Sequence, residues 1–121
     1  MTPLENGTMH ELGIMMNTLE AAEKAARASG ATRIHELRLR VGRMTGVVPE
    51  ALESVFEVVR EGTMAAEARL SIETVPASCW CARCQDEFVS EDLLSECPRC
   101  HELSGELRRG LELELASLEV T

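Results

Sequence analysis

Four of the five cysteines stand in two CxxC pairs, Cys81 with Cys84 and Cys97 with Cys100, separated by a twelve-residue loop. A CxxC turn points two thiolates at one atom, and a second such turn across a short hairpin completes a tetrahedral sulfur cage with bonds of about 2.3 Å. Disulfides within adjacent CxxC turns would be strained and would staple no distant segments together. The spacing therefore predicts a four-cysteine zinc ribbon, with iron as the rival metal because the same soft tetrahedral set accommodates it. Cys79 lies two positions before the cage with Trp80 between, and reads as a bystander, a spare thiol, an alternative ligand or a reactive site. No P-loop, dinucleotide fingerprint or nucleophile elbow occurs, and a cage of four protein sulfurs leaves no position for metal-bound water. The chain is read as no enzyme.

Composition bounds what surrounds the cage. With 121 residues there is room for one domain, or for a small core with a metal-stapled subdomain, and the second is expected. The three aromatics, Phe56, Phe88 and Trp80, leave core building to Leu, Ile, Val, Met and Ala. No apolar run reaches the ~20 residues that span a bilayer, and the opening residues lack the pattern of a secretory signal, so a reducing cytoplasm is expected. Four thiolates add four negative charges and one zinc ion two positive ones, taking the formal charge from −9 to −11. The ribbon loop adds Asp86, Glu87, Glu91, Asp92 and Glu96. Phosphate backbones need a basic footprint, so nucleic acid is disfavoured and a protein partner or small cation favoured.

The elements that must carry the ribbon follow from periodicity. Residues 1–8 read as a flexible lead-in, with Pro3, Asn6 and Gly7 opposing regular structure. Thr8 and Glu11 read as a capping box, and Leu12, Met15, Met16, Leu19, Ala22 and Ala26 as the apolar stripe of a helix reaching about Ser29, stopped by Gly30. From Ile34 to Val41 the period is two, with Leu37, Leu39 and Val41 inward and Glu36, Arg38 and Arg40 outward. Pro49 opens a second helix with Val48, Leu52, Val55, Phe56 and Val59 on its inner face. A strand from Ala68 to Val75 follows, and the right-handed crossover makes it parallel to the first. After the ribbon, Gly110 opens a third strand with Leu111, Leu113 and Leu115 inward and a one-residue phase slip that predicts a bulge near Ala116 or Ser117. Its outward acids complement Arg38 and Arg40, which places the first strand between the other two. The expected fold is α+β: two helices on a small three-stranded mixed sheet, with an inserted ribbon at 77–107 between 9–76 and 108–121.

In this order the chain resembles the HypA/HybF family of nickel-insertion accessory proteins for nickel–iron hydrogenases, from Met9 to Val120. The resemblance is carried by Met9-His10-Glu11, the two CxxC pairs with Pro98 inside the second, Arg109-Gly110-Leu111-Glu112-Leu113, and Glu119-Val120. It implies a metallochaperone, a monomer or weak homodimer, that holds structural Zn2+ and carries Ni2+. It further implies work beside a nickel-loading GTPase of the HypB type and delivery to the hydrogenase large-subunit precursor. Carried over, the nickel ligands are the His10 imidazole and the backbone nitrogens of Met9, His10 and Glu11. Nitrogen donors in fused chelate rings favour square-planar nickel(II), while the sulfur cage favours tetrahedral zinc. Eight residues precede Met9, so its nitrogen is an amide in the chain as written, and the functional form is expected to begin at Met9.

Two other classes compete. A zinc-ribbon interaction module would hold zinc without nickel affinity, and a rubredoxin-like electron carrier would hold iron at the cage. Read without the family, His10 is an exposed first-turn histidine, His35 a surface residue on a strand, and His101 a solvent-facing ring beside Cys100.

Overall fold

The computed structural model describes residues 7–90 and 95–121, residues 7–9 by their backbone alone. The chain divides into two compact units: residues 1–40, 47–73 and 114–121 in the first, and 41–46 and 74–113 in the second. Residues 1–6, most of the expected lead-in, lie outside the described residues, as do 91–94.

In the first unit, helix α1 (Gly7–Ala28) packs on helix α2 (Pro49–Val59). Met15, Leu19, Ala22 and Ala26 of α1 are buried, whereas Met16, expected in the same stripe, is 56% exposed. Each of the larger apolar side chains contributes roughly 1.5–3 kcal/mol by leaving water. Gly30, at φ +82, ends α1 as expected. Its amide reaches the Arg27 carbonyl at 3.0 Å and that of Ala31 reaches Ala26 at 3.0 Å, the paired bonds of a glycine C-terminal stop. Of the expected capping box, the Glu11 half does not form, and the Thr8 hydroxyl lies outside the described residues. α1 begins at Gly7, so Thr8 lies within the helix, and the Glu11 carboxylate bonds the Val48 amide instead. In α2, Leu52 and Phe56 are buried as expected, but Val48 is exposed because it precedes the helix, whose first residue is Pro49.

Strands β1 (Ile34–Gly42), β2 (Arg69–Val75) and β8 (Leu113–Val120) form a sheet in the order β2-β1-β8, with the first strand central. The ion pairs Arg69–Glu36 and Arg40–Glu73 advance four residues along both strands, as a parallel pair requires. At the far side, Arg33 and Thr121 exchange backbone hydrogen bonds and the Arg40 guanidinium reaches Glu114 at 2.8 Å, which sets β8 antiparallel. Three sequence expectations change here. Leu111 and Leu113 are exposed, because the strand begins only at Leu113 and its half-buried positions start at Leu115. The bulge expected in β8 is not a net insertion: from Arg33 opposite Thr121 to the Gly42–Glu112 bond, both strands use equal numbers of residues. Glu36, expected outward, is buried; Glu119 hydrogen-bonds it and Arg69 lies alongside, which together hold its carboxyl below the ordinary value.

The second unit holds strands β3 (Ser78–Cys81), β4 (Asp86–Val89), β5 (Ser95–Glu96), β6 (Leu103–Ser104) and β7 (Leu107–Arg109). They form an antiparallel sheet β4-β3-β7 and a two-stranded β5-β6 pair. A close backbone approach closes this unit. A Cβ on Gly42 would stand 2.1 Å from the Gly110 carbonyl carbon, and Gly110 itself sits at φ +117, so neither position has room for a side chain. No helix among the described residues is long and apolar enough to cross a membrane.

Candidate metal centre

Alternation along β3 decides the ribbon's geometry. Cys79 and Cys81 face one way and are buried, while Trp80 faces the other, with the Arg108 guanidinium 4.5 Å from its ring centre. On the buried face, Phe88 stands opposite Cys79 from β4 and Leu107 from β7. Cys79 is thus a small apolar residue of the ribbon core, packed with Cys81, Phe88 and Cys97, and is not one of the four clustered thiols.

The sulfur atoms of Cys81, Cys84, Cys97 and Cys100 all lie within 4.8 Å of one another. Cys81 is 3.5 Å from Cys100 and Cys84 is 3.9 Å from Cys97. Tetrahedral zinc with bonds of about 2.3 Å sets its sulfurs about 3.8 Å apart, so the cluster is compatible with structural zinc. Two matched turns present the thiols. The Gln85 amide bonds the Cys81 carbonyl and the His101 amide bonds the Cys97 carbonyl, each at 2.8 Å. Gln85 at φ +57 and His101 at φ +65 both take the left-handed conformation that closes such a turn.

Backbone dipoles and crowding drive the thiols apart in acidity. The N–H groups of Cys100 and Arg99 pull Cys97 down to about 6, and hydrogen bonding to Cys100 together with burial pushes Cys84 up to about 12. Four crowded thiols cannot all ionise unless a cation offsets their charge, and a dication at their centre does so. Around the cage, Arg99 holds Asp86 at 2.9 Å. The exposed His101 ring meets Glu96 at 2.7 Å, so it is solvent-facing and carboxylate-bonded.

Met9-His10-Glu11, the second candidate segment, lies in the first turns of α1. His10 is half-buried. Glu11 is fully buried, its Oε2 accepting from the Val48 amide at 2.7 Å. That side-chain role was not legible from the sequence, since nothing in local spacing links positions 11 and 48. His35, read as a surface residue, is exposed and bonds the Thr121 hydroxyl at 2.8 Å.

The family model described as "Hydrogenase/urease nickel incorporation, metallochaperone, hypA" matches residues 9–120. The chain belongs to the HypA family. A hydrogenase maturation factor HypA from Picosynechococcus sp. is 50% identical over 112 residues, 93% of this chain and 99% of that protein. Another from Chloroflexus aurantiacus is 42% identical, covering 92% and 98%. Among solved structures, one titled as the solution structure of HypA protein superposes with a TM-score of 0.68 at 25% identity, covering 93% of this chain and 97% of that one. The fold is also that of the Ni metallochaperone HypA from Helicobacter pylori, with a TM-score of 0.63 at 23% identity over 91% and 96%. The HypA family is one of metallochaperones for hydrogenase nickel incorporation, and maturation of hydrogenase supplies its partners.

Proposed function

We propose that this chain carries nickel(II) at Met9-His10-Glu11 and hands it to the hydrogenase large-subunit precursor together with a HypB-type GTPase, in the cytoplasm. The observation that carries the reading is the family match, which opens at Met9 and runs to Val120. In this reading, residues 9–76 with 108–121 handle nickel and residues 77–107 hold zinc at Cys81, Cys84, Cys97 and Cys100. The chemistry separates the two metals: the His10 imidazole and adjacent backbone nitrogens form fused rings around a planar ion, while four thiolates favour tetrahedral zinc. A site of few protein donors at a chain segment, with no closed cage, suits cargo that must leave.

His10→Ala tests this directly. The variant should keep its fold and its zinc, bind nickel at least tenfold more weakly by calorimetric titration, and fail to mature hydrogenase at limiting nickel. Normal maturation by that variant would remove His10 as a ligand. Stoichiometric zinc without any nickel binding in the wild type would leave a zinc-ribbon interaction module. Repeating the titration on a chain beginning at Met9 gauges what a free amine adds.

A further inference from the structure

Glu11 is the one side chain among the described residues that carries a buried polar atom with no hydrogen-bond partner, its Oε1. The residue is fully buried, and its other oxygen meets the Val48 amide, 37 positions away, at 2.7 Å. Burying a carboxylate against a single donor is unfavourable unless something offsets it. The offset is at hand in the same contact. Val48 is the N-cap residue of α2, and no side-chain hydrogen bond caps that helix from its own N-cap. Unbonded first-turn N–H groups make a helix start electropositive, so a carboxylate there is favoured. Glu11 of α1 acts as the anionic cap of α2.

The same residue belongs to the segment proposed to chelate nickel. In a helix that begins at Gly7, the Glu11 N–H donates to the carbonyl four residues earlier. Coordination through the Glu11 nitrogen takes its proton away to solvent and turns the Met9–Glu11 backbone from helical dihedrals into planar chelate rings, whether the chain starts at Met1 or at Met9, so α1 must start later in the loaded state. The Glu11 backbone then leaves its helical position, and its carboxylate is drawn from Val48. We propose that the Glu11 side chain couples nickel occupancy of residues 9–11 to the start of α2: loading releases the Val48 amide and uncaps α2. This inference rests on the nickel reading above.

Amide hydrogen exchange followed by NMR on the full zinc-loaded chain, with and without one equivalent of nickel(II), tests the coupling, with nickel binding measured calorimetrically on the same samples. In the wild type, nickel should speed exchange at Val48 at least tenfold. In Glu11→Ala, Val48 should exchange fast in both states and ignore nickel, with thermal melting showing that the fold persists. Glu11→Gln keeps an acceptor oxygen at the contact and should restore slow exchange in the nickel-free protein; if Glu11→Ala does not fold, this variant and the wild type carry the test. His10-dependent nickel binding with no response at Val48 overturns the coupling alone. Nickel binding that is absent, or equal in His10→Ala, overturns the nickel reading and the coupling with it.

Discussion

At the scale of single residues, the cage is held by side chains whose charges depend on their neighbours. Cys97 is fully buried, and the backbone N–H groups of Cys100 and Arg99 favour its thiolate. Cys97→Ser should therefore abolish stoichiometric zinc, read by metal analysis, and not merely weaken it. The carboxylates beside the cage give a pH signature. The Glu87 backbone N–H and Arg99 hold Asp86 below its ordinary value, and the Ser78 hydroxyl and Arg109 do the same for Glu87. A carboxyl depressed in the folded state stabilises above its unfolded pKa and loses that contribution as pH falls through the folded one. Between about pH 6 and about pH 3, across the ordinary carboxylate range, the wild type should lose more melting temperature than Asp86→Asn/Glu87→Gln. Comparing the two slopes separates this effect from acid release of zinc, which both proteins share.

At the scale of elements, α1 and α2 rest on a few large side chains and the second unit on a glycine contact. Phe56 is 1% exposed and anchors α2, so Phe56→Ala should cost about 3–5 kcal/mol in urea unfolding. Gly42→Ala drives a methyl to within 2.1 Å of the Gly110 backbone, where no flexible side chain can yield. Its cost should reach or exceed the roughly 1–3 kcal/mol of ordinary overpacking. Arg40 has a different standing: it bridges Glu73 on β2 and Glu114 on β8, yet all three are well exposed. Such surface pairs contribute at most about 1 kcal/mol each, so they favour strand order more than stability.

For the whole molecule, the two units draw on different sources of stability. The first buries leucines, Phe56 and the small residues of α1. The second buries only Val41, Val75, Ala77, Cys79, Cys81, Phe88 and Cys97 among its described apolar residues, too few to offset the chain entropy of so many short strands. Metal bound to four thiolates supplies on the order of 10 kcal/mol in small zinc domains. A strong chelator should thus release one zinc per chain and disorder strands β3 to β7. The helical circular dichroism of α1 and α2 should persist. Simultaneous loss of both signals would mean that the helices, too, depend on zinc.

What the sequence determined by itself was whatever short-range spacing encodes. Two CxxC pairs suffice to specify the four-thiol cluster, because each turn aims its own thiols. Period-two alternation places Leu37, Leu39 and Val41 inward, and the stop at Gly30 follows from its freedom at positive φ. Arg40 could also be matched to the outward acids of the last strand. What only the tertiary structure decided involves partners far apart in the chain. Met16 and Leu113 have apolar character but meet no buried surface, since exposure depends on which elements cover a face. Glu36 is buried through Glu119 and Arg69, which lie on other strands. Glu11 reads locally as half of a capping box, yet the orphan amide nearest its carboxylate belongs to Val48, and folding alone brings that donor within 2.7 Å. Local geometry follows from neighbouring residues, whereas a buried charge goes to whichever donor the fold places beside it.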